Sequence, residues 1–238
     1  MKPPRLIVAF VLIFFAVAAR GQVVFTFNLT SVSDNLGYTN GQSASFSFVL
    51  NSEYSGSFQD TAYADTMSRI WAESSPSDPQ IWSSITGTGL SGSLIRAEAP
   101  ANHAPSVSMK VWTSNFTTNN LNIIIGQVVN DLGLRTPDGG SVYQVGAAFG
   151  FSPVLSYEPP IIEDPTSFFA NFEGTKTAWG GGLYFYNPST GMANFSINDF
   201  TISYSNVPEP PTYAAILGFV SMGFVMFRRR FVGSRRSV

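Results

Sequence analysis

The sequence predicts an all-β fold, a β-sandwich of jelly-roll type over residues 22–206, with one apolar helix before it and another after it. Three observations point there. Short runs that alternate apolar and polar residues recur along the body, turn-forming clusters separate them, and helical periodicity is scarce. Composition agrees: 14% of residues are aromatic and only 12% charged, against roughly 25% charged in ordinary soluble domains, so a sizeable core can be built. The 238 residues have room for one such body, and no repeat of fixed period divides it.

Taken in chain order, the first element is N-terminal. Lys2 and Arg5 precede an uncharged run from Leu6 to Ala19, and small residues follow, which is the three-part layout of a secretory signal over residues 1–21. The run is short for a membrane span. Cleavage fits after Ala18 or, as the preferred site, after Gly21, so that the mature body begins at Gln22. Signal peptidase is thereby an expected processing partner.

The body opens with Val23 to Leu29, where Val23, Phe25, Phe27 and Leu29 fall on one face of a strand. The same alternation predicts strands at Ser45–Leu50, Val107–Trp112, Leu121–Val129, Val142–Phe151, Gly182–Tyr186 and Phe195–Tyr204. Asn40-Gly41, Pro137-Asp138-Gly139-Gly140 and Gly180-Gly181-Gly182 read as turns. One stretch differs: from Asp60 to Ser74 the residues Tyr63, Met67, Ile70, Trp71 and Ser74 follow helical spacing and predict a short helix or an ordered loop. Asp164-Pro165 is expected to cap a helical turn carrying Phe168, Phe169 and Phe172. The closing run from Phe195 to Tyr204 resembles the last strand of jelly-roll modules, many of which bind carbohydrate. In such modules an acidic residue often stands where Asp199 does, but the preferred reading of Asp199 is simply a polar residue at a β-bulge.

The last segment, 207–238, has three parts. Val207, Pro208, Glu209, Pro210 and Pro211 form a stiff extended hinge, because proline can neither continue a strand nor sit inside a helix. Residues 212–227 predict a transmembrane helix, its apolar stretch running from Tyr213 to Phe227. Fifteen residues at ~1.5 Å each reach about 22 Å, short of a hydrocarbon core of about 30 Å. Residues 228–238 are arginine-rich, and Arg228, Arg229 and Arg230 would hold the tail on the cytoplasmic side, with the body outside.

This order of parts resembles the PEP-CTERM sorting signal of Gram-negative bacteria, in which Val-Pro-Glu-Pro, a short transmembrane stretch and a terminal arginine cluster end a secreted protein. The resemblance covers only residues 207–238. It implies recognition by an exosortase, a membrane-embedded cysteine peptidase or transpeptidase, with cutting near Pro208 to Pro210 and transfer of the body to the cell surface. Glu209 would then belong to a substrate. The alternative for this segment is an ordinary tail anchor behind a proline linker.

The charge distribution and residue inventory narrow the chemistry. From 22 to 206 the chain carries five Lys and Arg against fourteen Asp and Glu, a balance of -9, which disfavours nucleic acid as a partner. There is no Cys and one His, so neither a thiol nucleophile nor an ordinary zinc site can form, and no 12-residue calcium loop is present. His103 lies in a proline-bounded loop without a nucleophile elbow elsewhere in the chain. Glu158, Glu163 and Asp164 form the densest acidic cluster and read as solvated loop charges. The expected protein is therefore no enzyme and needs no cofactor. Within the family named above the destination accompanies exopolysaccharide, which implies a structural or adhesive role at the cell surface or in extracellular matrix. A carbohydrate-binding module using exposed Trp82 and Trp179 is the alternative, since an indole offers a flat apolar face with a polar edge. Trp112, on an alternating strand, is expected in the core. A glycan-cleaving hydrolase using two of the body's carboxylates is a third reading.

Overall fold

The computed structural model describes residues 21–52, 54, 58–63, 66–73, 80–95, 107–114, 118–126, 131–152 and 164–205. The signal segment up to residue 20, the sorting tail with Val207, Pro208, Glu209, Pro210, Arg228, Arg229 and Arg230, and the loop residues His103, Glu158 and Glu163 lie outside them. Residues Gln22–Tyr204 make one compact unit.

Among its described residues that unit is all-β apart from one short helix. Its elements in order are β1 (Gln22–Ser31), β2 (Ser43–Leu50), β3 (Phe58–Tyr63), β4 (Thr66–Glu73), β5 (Trp82–Gly87), β6 (Ser91–Gly92), β7 (Val107–Ser114), β8 (Thr118–Ile125), β9 (Leu134–Arg135), β10 (Gln144–Phe151), α1 (Pro165–Ala170), β11 (Gly174–Asn187) and β12 (Gly191–Ser205). Ten strands join in one sheet of order β3-β4-β7-β8-β10-β11-β12-β1-β2-β5, and β6 pairs with β9 in a separate ribbon. Successive pairs are antiparallel. At the β12–β1 seam the Asn28 side chain donates to Asp199 Oδ1 (2.6 Å), Asn198 to Thr30 Oγ1 (3.1 Å) and Val32 N–H to Asn194 O (2.9 Å), so the residue numbers run in opposite directions there too.

The sheet curls around its own phenylalanines. Phe27 of β1 meets Phe149 of β10 at 5.4 Å between ring centroids, and Phe46 of β2 meets Phe185 of β11 at 4.9 Å. In each case the strands are three places apart in the sheet, about 14 Å if it were flat. Helix α1 extends the same core, with Phe169 touching Phe25 of β1 (4.9 Å) and Trp71 of β4 (5.9 Å). Edge-to-face packing dominates these contacts, the arrangement favoured by the ring quadrupole. Each buried phenylalanine contributes about 1.5–3 kcal/mol of apolar transfer.

The alternating runs fold as the pattern dictates. Val23, Phe25, Phe27 and Leu29 are all buried, as are Phe46, Phe48 and Leu50. Strands also form over the other predicted runs, with β8 ending at Ile125 and β11 beginning at Gly174. The cap at α1 is as expected: Asp164 accepts hydrogen bonds from the N–H groups of Thr166 and Ser167, both 3.0 Å, and Pro165 occupies the first turn.

Two expectations are corrected. Residues from Asp60 to Ser74 hold no helix where described; they supply the edge strand β3 and its neighbour β4, paired from Phe58↔Trp71 to Tyr63↔Thr66. Arg69 and Trp71 are buried on the inner side, and Arg69 is paired with Asp60 and lies over the rings of Phe58 (4.8 Å) and Phe168 (5.5 Å). Gly180-Gly181-Gly182 is no turn either: all three residues lie inside β11.

Candidate functional site

The outer face of the sheet centre is where the sequence places small and amide-bearing residues. With Ile123, Ala147, Leu183 and Phe195 turned to the core, the period-2 rule sends Asn122, Ile124, Gly146, Ala148, Gly182, Tyr184, Asn194 and Ser196 outward. Pairing sets them in rows across four strands. Asn122, Ala148, Gly182 and Ser196 stand in one register line, and Ile124, Gly146, Tyr184 and Asn194 in the next. A groove of about 430 Å³ lies over these lines, with Val32 at its margin and, among the described residues, no charged residue in its walls.

Two aromatic rings lie on this face, each on a glycine of β10. The indole of Trp179 fills the space that a Cβ at Gly150 would occupy, and the phenol ring of Tyr184 does the same at Gly146. A bulge in β11 directs the first ring. Phe149 pairs with Gly181 and Phe151 with Ala178, so that Trp179 and Gly180 together oppose the single residue Gly150. The bulge needs its glycines: Gly180 and Gly181 have φ of 147° and 132°, and a Cβ at Gly181 would strike the Ala148 carbonyl and Phe149. Trp179 is seated on one side and remains 59% exposed. Tyr184 is half-buried, and burial pushes its phenol pKa up, so it stays protonated as donor and acceptor at neutral pH.

The two tryptophans expected at the surface thus part company. Trp179 is exposed as expected. Trp82 is a correction: it is 1% exposed, opens β5, and packs edge-on against Phe25 (5.8 Å) and Phe48 (5.7 Å). The register shift opposite Val49 and Leu50 turns it inward, with Val49 facing Ser84 and Leu50 facing Trp82. Its indole N–H has no hydrogen-bond partner among the described residues. Trp112 lies on β7 in register with Ser68 and Asn120. Sequence reasoning missed Tyr184, Gly146 and Gly150, for which the signal was a tryptophan followed by three glycines inside a strand-length segment.

Most of the described carboxylates are tied to local structure. Asp164 caps α1, Glu73 accepts from the N–H of Ile81 (2.7 Å), Asp34 from that of Asn40 (2.7 Å), and Asp199 accepts from Asn28 beside the β11 bulge. Asp131 and Asp138 organise the loop around β9. Burial works to raise the Asp131 carboxyl, but hydrogen bonds from Arg135 (2.8 Å), the Gly133 N–H (2.8 Å) and Ser141 (3.1 Å), with the Arg135 charge, hold it below the usual carboxylate range. Asp138 is lowered by the Thr136 hydroxyl (2.7 Å) and the Gly140 N–H (3.0 Å). Nearby Tyr38 donates to the Thr88 carbonyl (3.0 Å), and burial, then the Asp138 charge, pushes its phenol up. Among the described residues no group of three or more His, Asp or Glu side chains is placed to hold a metal ion, and no helix is long and apolar enough to cross a membrane.

Comparison with protein-family models, with curated proteins and with solved structures finds no match to the chain.

Proposed function

We propose that the chain is an exported bacterial protein of structural or adhesive type, delivered to the cell surface or extracellular matrix by an exosortase acting on residues 207–238. One observation carries the proposal: Val207-Pro208-Glu209-Pro210, a short apolar segment and Arg228-Arg229-Arg230 follow one another in that order. Signal peptidase removes residues 1–21, the apolar segment 212–227 holds the chain in the inner membrane transiently, and the arginines keep the tail inside. The body has no catalytic activity of its own in this reading. We further infer that the curled sheet is a jelly-roll-like sandwich, its two halves facing across the phenylalanines of β1, β2, β10 and β11; the ring contacts between strands three places apart support it.

Replacing Pro208, Glu209 and Pro210 together by alanine tests the sorting step. In cells that possess the processing enzyme, the variant is expected to accumulate at full length in membranes while the unaltered chain is released from them. Equal processing of both would contradict the reading.

A second reading of the body, a carbohydrate-binding module for exopolysaccharide, is favoured by the exposed indole of Trp179.

A further inference from the structure

We propose that the outer face of β8, β10, β11 and β12 binds a neutral glycan chain lying along β10 and β11, with Trp179 and Tyr184 as its two stacking platforms. This deepens the carbohydrate reading by assigning the site and the class of glycan. It draws on the export reading only for where the glycan is met.

The argument starts from the rings. An exposed tryptophan on a sheet normally keeps rotamer freedom, which is lost on binding. Trp179 has already given much of it up: the β11 bulge aims it and the bare backbone of Gly150 seats it, so that one side of the indole is covered and the rest faces solvent. Tyr184 is seated on Gly146 in the same way. Gly146 and Gly150 are four residues apart on β10, about 13 Å at ~3.3 Å per residue. That interval exceeds one six-membered sugar ring, so the spacing selects a chain over a monosaccharide. Between the rings the floor is Ala148 and Gly182, low enough for an occupant to approach the backbone.

The rim and the charge then fix the chemistry. A sugar ring presents C–H groups on its faces and hydroxyls around its edge, which matches aromatic faces in the floor and amide or hydroxyl groups beside them. Asn122, Asn194 and Ser196 stand in register with that floor and can both donate and accept. Among the described residues the groove walls carry no charge, Lys110 stands one strand beyond Asn122 outside them, and the body as a whole has a balance of -9, so an acidic polysaccharide gains no cationic partner inside the groove and meets net repulsion. A neutral glycan meets neither obstacle.

Trp179 also covers a strand glycine, a stabilising role that needs no ligand. The two roles separate by experiment. The full chain, purified in detergent, is titrated with cellohexaose as a neutral probe and with hexagalacturonate as an anionic one, following tryptophan fluorescence and heat. Near-UV circular dichroism and thermal melting report the fold of each variant. The expected result is saturable binding of the neutral oligosaccharide, weakened about tenfold or more by Trp179→Ala and by Tyr184→Ala. Trp179→Phe should retain most of it. Gly150→Ala, which leaves both rings in the chain but removes the seat of one, should weaken it while the fold persists. The proposal is overturned by no binding at millimolar cellohexaose, by binding that Trp179→Ala leaves unchanged, or by preference for the anionic probe. It is equally overturned if Trp179→Ala instead abolishes concentration-dependent self-association, which would make a second copy the occupant. Should Trp179→Ala unfold the chain, Trp179→Phe and Gly150→Ala decide alone. Tail processing is measured separately, so failure here leaves the sorting proposal standing.

Discussion

The two tryptophans Trp82 and Trp179 show how much a single residue's role depends on backbone register. Each is followed directly by small residues, Ser83-Ser84 and Gly180-Gly181, yet one is sealed among phenylalanines and the other stands in solvent. Trp82→Ala should therefore cost about 3–5 kcal/mol, the loss of a large buried ring and the cavity left behind. Trp179→Ala should cost about 1 kcal/mol or less, the scale of a cross-strand contact at the surface. Urea unfolding of the two variants side by side checks this, and equal losses would contradict the burial assigned to them. The β9 loop gives a second test. Asp131 and Asp138 have folded-state pKa values below their unfolded ones, so their contribution is present above about pH 4 and is lost as pH falls through the folded values. Melting temperature should drop with acid below about pH 4. The Asp131→Asn, Asp138→Asn double variant should be less stable at neutral pH and lose less on acidification; an unchanged acid slope would remove these carboxylates from the account.

At the level of elements, the strands that alternate cleanly were legible because one face of each is buried and the other is not. β1 is the clearest case, with its inward positions Val23, Phe25, Phe27 and Leu29 all apolar and only Ser31, at its end, polar. β4 is disguised as a short helix or an ordered loop because its inward positions include Arg69 and Glu73 around Trp71, which erases the period-2 signal and leaves the apolar residues at helical intervals. Only tertiary partners make those polar residues fit: Asp60 and the rings of Phe58 and Phe168 for Arg69, the Ile81 N–H for Glu73. β5 was hidden for a different reason. Its register shift puts inward Trp82 and Ile85 three residues apart, an interval that no strand template anticipates. The β11 bulge likewise disguised Gly180-Gly181-Gly182 as a turn, and with it the seating of Trp179. Helix α1 was legible because its cap is local chemistry. Asp164→Ala should destabilise the unit by about 1 kcal/mol by thermal or urea unfolding, and Asp164→Asn by less, since asparagine caps almost as well. No loss on Asp164→Ala would mean the cap is dispensable to the α1 packing on β1 and β4.

For the whole molecule, the division of labour runs along the chain. The described residues form a ten-stranded antiparallel sheet curled around its own aromatic side chains and a two-stranded ribbon, and most of the described carboxylates serve caps, turns and ion pairs. In the proposed reading the information about destination is local and linear: an apolar run behind basic residues at one end, and hinge, short span and arginines at the other. Such signals are readable without a fold, because membranes and processing enzymes meet them as extended or simply helical segments. The proposed binding face is the opposite kind of object, assembled from four strands and a bulge, and so it is illegible until the register is known. The central claim is that the chain is cut at both ends on its way to the surface. Intact mass measurement of the protein extracted from the surface of cells tests it most directly. The account predicts termini near Gln22 and between Pro208 and Pro210; a mass that still includes Arg228 to Arg236 would contradict it.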